Sequence, residues 1–131
     1  MNPLNEWRCI LISNYNGFKP ESKIRLVIPP LDFRKSVDGL TAFIQVELNL
    51  DPMQKGCFVF CNKQHDKIKI IEFDFNGFWM YYKRLETGTF LWPKSDQSVI
   101  PISRAQYDWL MNGLSINQRD GFTQVLASKV I

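Results

Sequence analysis

The chain has one histidine, three cysteines and a formal net charge of only +3 across 131 residues. Each shortage excludes something. An odd set of cysteines (Cys9, Cys57, Cys61) argues against a disulfide framework. No apolar run approaches the roughly 20 residues of a membrane-spanning helix. Asn5 and Glu6 precede the short apolar stretch from Cys9 to Ile12, which is not the pattern of a secretory signal. The expectation is a cytoplasmic protein with no membrane partner. A charge of +3, with the basic residues spread along the chain, does not by itself imply nucleic acid. Internal repeats and low-complexity segments are also missing.

Catalytic residues are equally scarce. His65 lies in a polar turn, and Gly77 and Gly88 are turn residues, so there is no glycine-rich phosphate loop and no serine nucleophile elbow. Cys57, Cys61 and His65 are evenly spaced, yet on a strand the two sulfurs sit about 13 Å apart at about 3.3 Å per residue. Zinc–sulfur bonds of about 2.3 Å cannot span that gap, so the thiols read as free and buried or half-buried. Asp32 and Asp38 are six apart and point to different sides of one helix. Glu72 and Asp74 share a strand face about 7 Å apart and read as a solvated face. No catalytic residue, metal or cofactor is expected.

Aromatic and apolar residues are plentiful. Ten Phe, four Trp and four Tyr, within a hydrophobic fraction of 45%, suffice for the core of one domain. The densest stretch runs from Lys67 to Trp92. Asn76-Gly77 between two β-branched and aromatic runs predicts a hairpin with a type I′ turn. That turn would set Phe75 opposite Phe78, Phe73 opposite Met80 and Lys69 opposite Arg84. Phe73, Phe75, Phe78, Met80 and Tyr82 then line the core face; Asp74, Glu72, Trp79 and Tyr81 line the other. Ile70 beside Ile71 implies either a bulge or cover on both faces.

Around this hairpin, residues 23–28 and 56–61 read as strands. Thr89 to Trp92 reads as a strand after a turn at 86–88. Asp32 to Leu48 predicts the main helix, with Asp32 as N-cap and Phe33, Val37, Leu40, Ile44 and Leu48 as its buried stripe. Gly39 inside it suggests close approach of another backbone, that of the sheet. Ile100 to Gly113 predicts a second helix, with a Ser103/Gln106 capping box, a staple of Ile102 on Tyr107, and Gly113 ending it. Arg8 to Ile12 reads as a short strand. The fold class expected is α+β: an antiparallel β meander of four to five strands, one long helix packed on a face, and a shorter C-terminal helix. Residues 23–114 form the domain, 1–22 an N-terminal extension and 115–131 a tail, either a frayed helix or a partner-dependent segment.

The residues with most to say about function are basic. Lys67 and Lys69 share a strand face, Arg84 falls beside Lys69, Lys63 and His65 sit in the adjoining turn, and Arg34 and Lys35 open the main helix. Flanked by Trp79, Tyr81 and Tyr82, such an edge suits a phosphate backbone with stacked bases. A solubilising strand that discourages edge pairing is the plainer alternative.

Several of these stretches coincide with one family. Asp32-Phe33-Arg34-Lys35-Ser36-Val37-Asp38-Gly39-Leu40 resembles the Asp-Met-Arg-Lys-Gly-x-Asp-Gly-Leu signature of the small TnpB accessory protein of insertion sequence 66 family transposons. Phe58-Val59-Phe60, Asn62-Lys63 and Asp66-Lys67-Ile68-Lys69 resemble its next block. Gly77-Phe78, Tyr82-Lys83-Arg84-Leu85-Glu86 and Gly88-Thr89-Phe90-Leu91-Trp92-Pro93 resemble a third, and 103–113 its closing helix. The similarity covers about residues 24 to 114, in order. Ser36 stands where glycine is usual, and Cys61 and Gln64 where arginines are common, which weakens the basic surface of that loop. The resemblance implies a non-catalytic protein needed for transposition of a bacterial element, encoded beside a separate transposase. Its implied partners are that transposase, other proteins of the element, and DNA. On this reading Arg34, Lys35, Lys67, Lys69, Lys83 and Arg84 contact nucleic acid, although Lys83 faces away from Lys69. The alternative is a protein-interaction module docking through Trp79, Tyr81 and the C-terminal tail.

Overall fold

The structure, a computed structural model, describes residues 18, 20 and 23–118. The strand expected at Arg8 to Ile12 and the tail beyond 118 lie outside the described residues. The class is α+β. Five strands, β1 (Ile24–Val27), β2 (Cys57–Cys61), β3 (Lys67–Asp74), β4 (Gly77–Arg84) and β5 (Val99–Ile102), form one sheet in the order β4-β3-β2-β1-β5. Helix α1 (Val37–Val46) lies between β1 and β2, and α2 (Arg104–Met111) follows β5.

The meander β2-β3-β4 is antiparallel throughout, as its short connections require. The sheet is nevertheless mixed, because β1 adds to β2 in parallel and the chain between them is long enough to carry α1. β5 then pairs antiparallel with the far side of β1.

The hairpin forms with a different turn. Phe75 and Asn76 make the loop, Phe75 has φ +54° and is 92% exposed, and Asp74 pairs with Gly77. The pairing thus slides by an even step, so the strand side chains keep their expected grouping by face while their partners change, but the face expected to be core is largely open: Phe75, Met80 and Tyr82 are 92%, 37% and 53% exposed, because α1 covers the other end of β3. Phe73 now meets Phe78 edge-on at 5.1 Å between centroids, Lys69 lies opposite Tyr82, and Lys67 lies opposite Arg84. No bulge occurs at Ile70 and Ile71; the ladder with β2 is unbroken there. Both faces are covered instead. Ile71 packs with Phe58, Phe60, Leu40 and Ile44 on the α1 side. Ile70 packs with Cys57, Val59, Tyr107 and Leu110 on the α2 side.

Four other expectations are corrected. Helix α1 starts at Val37 with Ser36 as N-cap, not at Asp32. Residues 89–92 form no strand: Phe90 and Trp92 are buried and Leu91 is exposed, but Phe90 N–H donates to the His65 carbonyl at 2.7 Å and Trp92 Nε1 to the Val27 carbonyl at 3.1 Å. The second helix starts at Arg104, since 99–102 belongs to β5; its Ser103/Gln106 capping box is present, and Ile102 and Tyr107 are buried in one cluster. A Cβ on Gly39 would press on Lys35, 3.1 Å from its Cβ, rather than on the sheet.

Cys57 and Cys61 are free, fully buried thiols on the α2 side. Burial pushes each up to about 12 from an ordinary 9.0, with the Glu72 charge adding at Cys57 and that of Asp66 at Cys61. A pKa raised on folding favours the protonated thiol in the native state. The resulting stability is complete below pH 9 and fades as pH climbs toward 12. A Cys57→Ala/Cys61→Ala variant should therefore be less stable than the parent at pH 8 and close the gap above pH 9. Urea midpoints measured across that range check this; a constant gap would contradict it.

Candidate nucleic-acid interface

The loop between β1 and α1 is held by one side chain from the sheet. Lys69 projects from β3 on the α1 side and is only 8% exposed. Its Nζ donates to the Phe33 carbonyl at 2.8 Å and the Lys35 carbonyl at 2.7 Å, and it sits 5.1 Å from the Phe33 ring centre and 5.8 Å from that of Tyr82. Burial pushes its pKa down, and the Asp32 carboxylate opposes that. Asp32 starts a tight turn rather than a helix. Its Oδ1 accepts from Arg34 N–H at 2.9 Å, and its carboxylate takes the Arg34 guanidinium at 2.6 Å. The side-chain bond from Arg34 holds the Asp32 carboxyl down at about 2.

The turn between β2 and β3 is built on Asn62, which is 5% exposed. Its Oδ1 accepts from the N–H groups of Asp66 and Lys67, both at 3.0 Å, and its Nδ2 donates to Asp66 Oδ1 and Gln64 Oε1. An asparagine can replace backbone partners in this way at a tight turn. His65 takes φ +61° at its tip.

Between these two loops and the α1-side face of β3 and β4 lies an open cleft of about 670 Å³. Phe33, Arg34, Lys63, Lys67, Lys69 and Tyr82 are among the residues that line it. Of the six basic residues expected to contact nucleic acid, Arg34, Lys67 and Lys69 meet here, with Lys69 at the back, its ammonium already engaged. Arg84 pairs across from Lys67 on β4 and holds Glu86 at 2.9 Å. Lys35 is exposed on the clamped loop. Lys83 points to the other side of the sheet, into a smaller groove with Phe18, Tyr107 and Met111. Lys63 lines the cleft although sequence reasoning left it outside the contact set; its place beside Asn62 in the polar turn was the available signal.

Trp79 and Tyr81 lie on the α2-side face. Trp79 is 55% exposed, and its Nε1 donates to Asp74 Oδ2 at 3.1 Å. Tyr81 is half-buried, stacked on Phe18 at 4.0 Å between centroids. Phe18 is fixed in turn by the Tyr107 hydroxyl, which donates to its carbonyl at 2.9 Å. Phe18 thus contributes packing to this face.

The profile of the family described as IS66 Orf2-like protein matches residues 22–121. The chain belongs to that family. The matched span contains all the strands and helices of the described residues and the whole cleft. Two curated proteins of Sinorhizobium fredii are similar to it. The uncharacterized protein y4hO is 34% identical over 83 residues, which is 63% of this chain and 72% of that protein. The uncharacterized protein y4jC is 32% identical over 92 residues, 70% of this chain and 79% of that protein. No solved structure matches. Membership makes this IS66 Orf2-like chain a transposon-associated accessory protein. Among the described residues no helix is long and apolar enough to cross a membrane.

Proposed function

We propose that this IS66 Orf2-like protein serves transposition as a non-catalytic, cytoplasmic accessory that holds DNA of its element in the basic cleft and works alongside the transposase. The observation that carries this is the meeting of Arg34 from the loop before α1 with Lys63 and Lys67 from the turn into β3 around one opening, with Phe33 and Tyr82 beside them. Phosphate contacts supply affinity and ring faces stack bases whatever their sequence. Among the described residues Lys63 and Lys67 have no ion-pair partner, so their ammonium groups stand ready for phosphates. Arg34 and Arg84 would exchange an exposed carboxylate partner for a phosphate, a small change in water.

Fluorescence anisotropy with DNA from the element's ends, at low and at moderate salt, tests the reading. The parent should bind at low salt and lose affinity steeply as salt rises. Lys63→Glu/Lys67→Glu should weaken binding by about tenfold or more and lower the log–log salt slope by about two, one per phosphate contact removed. No binding at low salt would remove DNA from the proposal and leave family membership intact. A second reading, docking to the transposase, is supported by the exposed Trp79 ring. Co-purification with the transposase that survives nuclease treatment and is lost on Trp79→Ala would favour it.

A further inference from the structure

Phosphate contacts account for the cations of the cleft but not for the apolar stripe that leads out of it. Phe78, Met80, Tyr82 and Arg84 occupy the α1-side face of β4, opposite Phe73, Ile71, Lys69 and Lys67. Met80 and Tyr82 are exposed and Phe78 is half-buried. Phe33 stands beside Tyr82 at 6.4 Å between centroids, the two rings tilted by 54°. The stripe therefore begins among Arg34, Lys63 and Lys67 and runs along the strand toward Phe78. An exposed apolar surface rimmed by charge marks a place where something binds.

We infer that the cleft takes an unpaired DNA strand in preference to duplex, its phosphates on Arg34, Lys63 and Lys67 and its bases laid on Tyr82, Met80 and Phe78. This rests on the DNA reading above and names the form of DNA that the site holds. A base inside a duplex has its faces covered by its neighbours, so a ring can stack on it only once it leaves the stack. The spacing agrees. Side chains two apart on a strand sit about 6.6 Å apart, at about 3.3 Å per residue. Successive bases of a duplex strand are about 3.4 Å apart. Bases over Tyr82, Met80 and Phe78 would thus lie about twice as far apart as stacked neighbours, which an extended single strand allows. Rings stack on rings, and the Met80 thioether packs well on one. Reading a duplex through its major groove calls instead for a protruding helix or two-stranded ribbon. Among the described residues those elements carry the wrong charge. α1 has Asp38 and no lysine or arginine. The β3–β4 tip, residues 73–79, has Asp74 and no cation. In α2, Arg104 is held by Asp108 at 3.5 Å and donates to the Pro20 carbonyl at 3.0 Å.

Anisotropy titration of the full chain with three labelled probes of one length, at one low salt concentration, is the test. The probes are a mixed-sequence single strand, the duplex of that sequence, and an abasic strand whose sugar–phosphate chain lacks bases. Charge alone favours the duplex, which presents about one phosphate per 1.7 Å against one per 3.4 Å for a strand. Tighter binding to the single strand therefore reports its bases. The single strand should bind at least about tenfold tighter than either other probe. Tyr82→Ala should shrink that preference at least about fivefold, and Tyr82→Phe, which keeps the ring, should retain it. A duplex that binds as tightly as the single strand overturns the inference and leaves the DNA reading standing. So does an abasic probe that matches the single strand, a comparison that needs no variant to fold. A preference that survives Tyr82→Ala overturns the assignment to these rings. Binding of none of the probes overturns both readings.

Discussion

Gly56→Ala is expected to lower stability by about 2–6 kcal/mol. Gly56 has φ +109°, a conformation that L side chains rarely adopt. Holding alanine there costs about 1–3 kcal/mol by itself. The new methyl would also fall against the Lys23 carbonyl oxygen, with the Arg25 guanidinium 2.7 Å away. That oxygen cannot simply retreat, because it accepts Cys57 N–H at 2.9 Å and so closes the β1–β2 junction. Arg25 is also fixed, donating to the Lys55 carbonyl at 3.0 Å and lying 5.3 Å over the Phe58 ring. Relief requires β1 to move off β2, and overpacking of this kind adds about 1–3 kcal/mol. Native domains hold only about 5–15 kcal/mol in all. The urea midpoint should drop sharply with unchanged slope. A midpoint equal to the parent's would show that the junction gives way more easily than its hydrogen bonds imply.

The same junction shows where sequence reasoning stopped. Side-chain alternation assigned the faces of β3 and β4, and it survived a wrong turn because the pairing slid by an even step. Alternation reports burial, though, not ladder partners. Phe90 and Trp92 alternate with Leu91 like a strand, yet they pack across the α2 side as extended chain whose polar groups bond to His65 and Val27. The parallel pairing of β1 with β2 joins segments about 30 residues apart in sequence and left no local mark. β5 was hidden for a similar reason: Val99 to Ile102 is short, contains proline, and runs straight into a well-capped helix, so its residues were absorbed into that helix.

The candidate site was legible in part for related reasons. Basic residues in the Asp32–Lys35 and Asp66–Lys69 blocks were visible, and the fold brings Arg34, Lys67 and Lys69 to one opening. Their different roles were not visible. Whether a lysine meets solvent or holds a loop depends on which backbone carbonyls face it. For Lys69 those belong to residues 34 and 36 positions away. The same contact explains the late start of α1. A carbonyl turned toward an ammonium from the sheet is not aligned to begin a helical ladder, so Asp32 to Ser36 forms a turn. The family match adds that this loop, the Asn62 turn and β3 lie in one inherited unit, since residues 22–121 contain all three.

Lys69→Met isolates that clamp. Methionine keeps much of the apolar stem and fills similar space, but it removes two hydrogen bonds from a charged donor and the cation beside the Phe33 and Tyr82 rings. Each such bond contributes about 1.5–3 kcal/mol. Relief from burying an ammonium offsets part of this, leaving an expected loss of about 2–3 kcal/mol. The effect should be local as well as global: amides of residues 33–36 should lose hydrogen-exchange protection before those of β2 and β3. In the DNA titration, a loop-holding lysine and a phosphate-binding lysine differ in kind. Removing a phosphate contact lowers the salt slope by about one. Loosening the loop lowers affinity by displacing Arg34 while Lys63 and Lys67 keep their contacts, so the slope should stay close to that of the parent. The expected result for Lys69→Met is therefore weaker binding, a lower urea midpoint and a nearly unchanged slope. A parent-like midpoint together with a slope lowered by about one would instead make Lys69 a direct phosphate ligand, and the loop geometry of the cleft would need another explanation.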